Sequence, residues 1–124
     1  MSFWFLCTVK SILHGSWAIK SYDLAIKINP NYSNVFDYKG EALYNLKDYE
    51  EAIKCHDEAI QVNPYHSIAF NNKGLALCKL KKYEDAIKCF DQAIKINPLH
   101  SFALNNKDIA LNDLKNYKEN CLVI

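Results

Sequence analysis

The feature that most constrains this chain is a phrase it writes three times at one interval. "YEDAIKCFDQAIKINP" runs from Tyr83 to Pro98, and "YEEAIKCHDEAIQVNP" from Tyr49 to Pro64. "SWAIKSYDLAIKINP" ends at Pro30, again 34 residues earlier. Laid over one another without a gap, residues 33–66 and 67–100 share about 20 identities in 34 positions. Self-similarity at such a fixed period marks an array of stacked units, each too small to bury its own apolar face.

Within a unit the apolar pattern is helical. Ala86, Ile87, Phe90, Ala93 and Ile94 gather on one face at 3.6 residues per turn, and Lys88, Asp91, Gln92 and Lys95 take the other. Asn97-Pro98 stops that helix, because proline lacks an N–H and disfavours helical dihedrals in the residue before it. Asn63-Pro64 and Asn29-Pro30 repeat the stop. A second helix starts after each proline, with Ser33, Ser67 and Ser101 as expected N-caps. Its apolar side is Phe70, Ala76, Leu77 and Leu80 in the third unit. A two-residue polar link then leads to the next tyrosine. The fold class is therefore all-α, built from helix-turn-helix units.

The constrained positions resemble the tetratricopeptide repeat. They are Phe36, Gly40, Leu43, Ala52, Ala59 and Pro64 in one unit, and Phe70, Gly74, Leu77, Ala86, Phe90, Ala93 and Pro98 in the next. His56 stands where an aromatic residue is usual. The resemblance implies a solenoid, a right-handed superhelix of antiparallel helix pairs. Gly40, Gly74, Ala52, Ala86, Ala59 and Ala93 would be the small residues at the close helix contacts, with Pro64 and Pro98 closing each unit. It divides the chain into a degenerate helix at 1–16, the second helix of a partial repeat at 17–32, complete repeats at 33–66 and 67–100, and a partial repeat at 101–124. In the last unit Asp108 and Asn120 replace the expected glycine and alanine. The expectation there is a first helix, a turn near Leu114, and a second helix cut short.

The same resemblance implies a function. The first helices of such arrays line a concave surface that binds proteins without catalysis, as an adaptor or scaffold. The residues expected there are Asn34, Asp37, Tyr38, Glu41, Tyr44, Asn71, Asn72, Leu75, Lys79, Asn105 and Asn106. Asparagine offers both donor and acceptor, so Asn71-Asn72 and Asn105-Asn106 suit an extended peptide backbone. A carboxylate clamp like that of chaperone adaptors would need cations that Asp37, Glu41, Ile68, Leu75 and Phe102 do not supply. The alternatives are a fragment of the repeat arm of an O-linked N-acetylglucosamine transferase, or a prenylated membrane adaptor. Self-association through an uncapped C-terminal end is a further partner expectation.

Other classes of chemistry find little support. The 15 basic residues nearly balance 14 acidic ones, which argues against a nucleic-acid surface. The five cysteines form no C-x-x-C pair, so neither a disulfide framework nor a zinc ribbon is expected, and reduced thiols point to the cytoplasm or the nucleus. No G-x-S-x-G, phosphate-binding glycine loop or H-E-x-x-H occurs. Adjacent Cys55 and His56 point about 100° apart on a helix and do not form a nucleophile–base pair. The expectation is therefore no enzyme, no cofactor, no metal and no small-molecule substrate. His66 and His100, just after the prolines, read as cap or turn residues. "MSFWFLCTVKSIL" is too short to span a bilayer and lacks a basic leader, so it reads as a buried helix. Cys121 begins "CLVI", which fits a prenylation pattern with an atypical last residue. The simpler reading places Cys121 in an apolar helix stripe.

Overall fold

In the computed structural model of the protein the backbone is described over residues 3–122 and side chains over residues 15–122. The described residues form six helices and no strand: α1 (Phe3–Ile28), α2 (Ser33–Asn45), α3 (Tyr49–Val62), α4 (Ser67–Lys79), α5 (Tyr83–Ile96) and α6 (Ser101–Leu122). None is long and apolar enough to cross a membrane.

Each helix packs on the next along the chain, and α2 and α6 also touch α4. Among the described residues α1, α3 and α5 make no such contact with one another. A stack whose even-numbered helices meet while the odd-numbered ones are held apart must curve with α2, α4 and α6 inside. The core follows the small residues. Ala52, Ala59, Ala86 and Ala93 are fully buried. A side-chain carbon on Gly40 would come within 2.5 Å of the His56 ring, and one on Gly74 within 2.5 Å of the Phe90 ring. Only glycine lets those rings lie that close to the neighbouring backbone.

The punctuation is local chemistry. Asn63 and Asn97 cap α3 and α5 in extended conformation, as a residue before proline prefers. Their side-chain oxygens accept the N–H of Tyr65 and of Leu99 at 3.1 and 3.2 Å. The inner turns are Schellman-type. Asp48 N–H reaches Leu43 C=O and Lys82 N–H reaches Leu77 C=O, each at 2.9 Å. The residues at the left-handed position are Lys47 and Lys81, at φ 65° and 61°.

Three expectations need correction. The serines are not the N-caps: each helix starts one residue earlier in register, after Tyr32, His66 and His100. His66 Nδ1 accepts the N–H of Ala69 at 3.2 Å, and His100 Nδ1 that of Ala103 at 3.3 Å. Ser33 instead donates to the carbonyl of Ala59 at 2.7 Å, tying α2 to α3. Second, no break separates residues 1–16 from 17–32, because α1 runs through Gly15 and Ser16, where no proline or cap stops it. Third, α6 is one helix of 22 residues with no turn after Leu114.

A repeated ion pair joins the units. Lys39 meets Asp23 at 2.7 Å, Lys73 meets Asp57 at 2.6 Å, and Lys107 meets Asp91 at 2.7 Å. Each runs from the second helix of one unit to the first helix of the next, with the same spacing in sequence.

Candidate functional site

The inner helices carry a cleft of about 330 Å³ lined by Glu41, Tyr44 and Asn45 of α2, His56 of α3, and Asn72 and Leu75 of α4. A second cleft, of about 310 Å³, lies between α1 and α2 and includes Tyr22, Tyr38, Glu41 and Asn45. Glu41 and Asn45, one helical turn apart, form the wall between the two.

Behind the first cleft lies a buried polar cluster. Asp37 is 2% exposed and His56 1%. His56 Nδ1 lies 2.8 Å from Asp37 Oδ1. The carboxylate can only accept, so Nδ1 carries the proton and donates it. The Asn72 amide nitrogen donates to both Asp37 oxygens at 3.2 and 3.3 Å, and to Glu41 Oε1 at 3.3 Å. One unit on, the Asn106 amide nitrogen donates to Asn71 Oδ1 at 3.0 Å. Partial burial, and then the Asp37 carboxylate, push the Glu41 carboxyl above the ordinary range, against the opposing pull of Asn72 and His56.

This geometry sorts the residues expected on the concave face. Glu41, Tyr44, Asn72 and Leu75 converge on one cleft. Asp37 and Asn71 are buried and hydrogen-bonded inside the chain, where they accept from the amide nitrogens of Asn72 and Asn106. Tyr38 is exposed, stands 6.1 Å from Tyr22 and lines the second cleft. Asn34, Lys79 and Asn105 line neither cleft. Asn45 and His56 were missed as lining residues. The signal for His56 was present: where Asn71 pairs in sequence with Phe90, the previous unit has Asp37 and His56, a joint change of two positions that touch.

The cysteines do not suggest chemistry. Burial pushes the thiols of Cys55 and Cys78 up to about 11, so both stay protonated at neutral pH. Among the described residues no group of three His, Cys, Asp or Glu side chains could hold a metal ion. Cys121 is exposed on α6, and the rest of the "CLVI" pattern, Val123 and Ile124, lies outside the described residues.

Comparison with known proteins agrees with this architecture. The tetratricopeptide repeat family model matches residues 38–66 and 67–99. No curated protein matches the sequence. Among solved structures, the first tetratricopeptide domain of Spaghetti (RPAP3) bound to the HSP90 peptide SRMEEVD is similar. It has a TM-score of 0.79 and 22% identity, over 82% of this chain and 81% of that one. The first such domain of human RPAP3 gives 0.82 at 21% identity, over 85% and 83% of the two chains. The Sgt2 domain from Aspergillus fumigatus gives 0.81 at 19% identity, over 86% and 72%. With the family model covering half the chain, and with the close-packing glycines and alanines in place, this chain belongs to the tetratricopeptide repeat family.

Proposed function

We propose that this chain is a non-catalytic protein-interaction module that holds an extended peptide segment against the inner face of α2, α4 and α6. The observation that carries the reading is the fixed orientation of Asn72 and Asn106. The Asn72 amide nitrogen donates to Asp37 and Glu41, and that of Asn106 donates to Asn71. Both side-chain oxygens therefore remain as acceptors, spaced one unit apart, for the N–H groups of a bound backbone. Preorganised acceptors lose little rotamer freedom on binding. The similar Spaghetti domain was solved with an HSP90 peptide, and the second domain of human RPAP3 with the HSP70 peptide SGPTIEEVD, which supports a peptide as the ligand class. Neither the glycosyltransferase-arm reading nor the prenylated-adaptor reading is favoured by these findings.

The test is selection of random nonapeptides displayed on phage, followed by binding of the winning synthetic peptides to wild type and to Asn72→Ala/Asn106→Ala. With matching helicity by circular dichroism, affinity should fall about tenfold or more, as expected for two lost hydrogen bonds. Unchanged affinity would move the binding surface away from this face.

A further inference from the structure

We propose that the cleft between α2 and α4 receives one basic side chain, arginine or lysine, from the peptide on the inner face. This rests on the groove reading and adds to it the chemistry of the ligand. The support is an inventory of hydrogen-bonding capacity. Asn72 directs its amide nitrogen to the Asp37 and Glu41 carboxylates because carboxylates only accept, so its oxygen remains an acceptor not engaged by them. His56 donates its Nδ1–H to Asp37. Among the described residues its Nε2 is buried without a hydrogen-bond partner, as are those of His66 and His100, but only the His56 ring borders this cleft. The ring forms part of the cleft wall. Glu41 supplies a carboxylate at the mouth, and the Asp37 charge lies behind it. Among the described residues no lysine or arginine lines the cleft.

The site is thus rich in acceptors and carries negative charge, and it suits a group that brings several donors and a positive charge. A guanidinium or an ammonium is such a group. Tyr44 and Leu75 offer aromatic and aliphatic surface to the methylene stem. Burial and the Asp37 charge displace the Glu41 carboxyl upward, and a cation beside it would act in the opposite direction. The peptides in the similar RPAP3 complexes end in Glu-Glu-Val-Asp, and this cleft would repel such acidic side chains.

The experiment is a titration of the full chain, labelled with nitrogen-15, with N-acetyl-L-arginine amide and with its neutral isostere N-acetyl-L-citrulline amide. The arginine probe should saturably shift the amide signals of Glu41, Tyr44, Asn45, Asn72 and Leu75. The citrulline probe should bind at least about fivefold more weakly, the scale of one charge-assisted contact at a partly exposed site. Glu41→Gln, at the exposed rim, should weaken the arginine probe to a similar extent and leave the citrulline probe unchanged. Equal binding of both probes, shifts centred elsewhere, or indifference to Glu41→Gln would each overturn the proposal. Asn106→Ala separates the two readings, because Asn106 lies outside the cleft. If it weakens selected peptides while the arginine probe binds nowhere, the groove stands and the basic-side-chain site falls. If the arginine probe binds the cleft while peptides ignore both asparagines, the groove reading falls and a bare cation site remains.

Discussion

His56 and Phe90 meet one packing demand with different chemistry. Each ring lies over a glycine of the preceding helix, Gly40 or Gly74. Phenylalanine asks nothing further of its surroundings. Histidine must place two ring nitrogens, and Asp37 takes one of them. His56→Phe alone would leave the buried Asp37 carboxylate with only Asn72, and should cost about 2–4 kcal/mol. Asp37→Asn/His56→Phe copies the Asn71/Phe90 pair of the next unit and should recover most of that loss. Urea denaturation of the three proteins measures both effects. Glu41 gives a pH signature. Its carboxyl in the fold sits above the ordinary value, so the folded chain holds its proton to higher pH than the unfolded chain. Stability therefore falls as pH rises from the ordinary carboxylate value through the raised one. Glu41→Gln removes that loss, and should raise the melting temperature at pH 7 more than at pH 4.

Elements were legible where a local signal decides them. The asparagine–proline stops and the 3.6-residue apolar stripe define α3 and α5 from sequence alone. The inner turns were only half legible. Leu46-Lys47-Asp48-Tyr49 and Leu80-Lys81-Lys82-Tyr83 turn, while Leu114-Lys115-Asn116-Tyr117 continues as helix. A left-handed lysine is unfavourable by itself, and the packing of α3 on α2, or of α5 on α4, offsets it. Beyond Tyr117 the alanine that would seat a returning helix is Asn120, so little packing would reward a turn. Tyr117 instead extends α6 along α5, where it meets the edge of Tyr83, and Lys118 pairs with Glu84. The concave site was legible as a set of positions but not as a division of labour, because burial of Asp37 and Asn71 depends on helices far apart in sequence. If the left-handed lysines are unfavourable, Lys81→Gly should stabilise the chain by roughly 0.5–1 kcal/mol. Thermal denaturation would show it, and a loss instead would mean that the lysine side chain contributes packing there.

At the scale of the molecule, three junctions are fastened alike, by Asp23–Lys39, Asp57–Lys73 and Asp91–Lys107. All three pairs are partly exposed, and each contributes on the order of 0.2–1 kcal/mol. Their sameness matters more than their strength. Because every junction presents the same acid on one side and the same base on the other, the units share a common gauge and can be spliced like rolling stock. A second copy of residues 67–100 inserted after His100 would bring its own Asp and Lys at the right stations. It should fold into the line, with α5 packing on the copied α4 much as α3 packs on α4, and raise the melting temperature, since stability in such arrays grows with each joint added. A spliced chain that melts lower than the parent would show that the couplings, though alike in charge, are individually fitted.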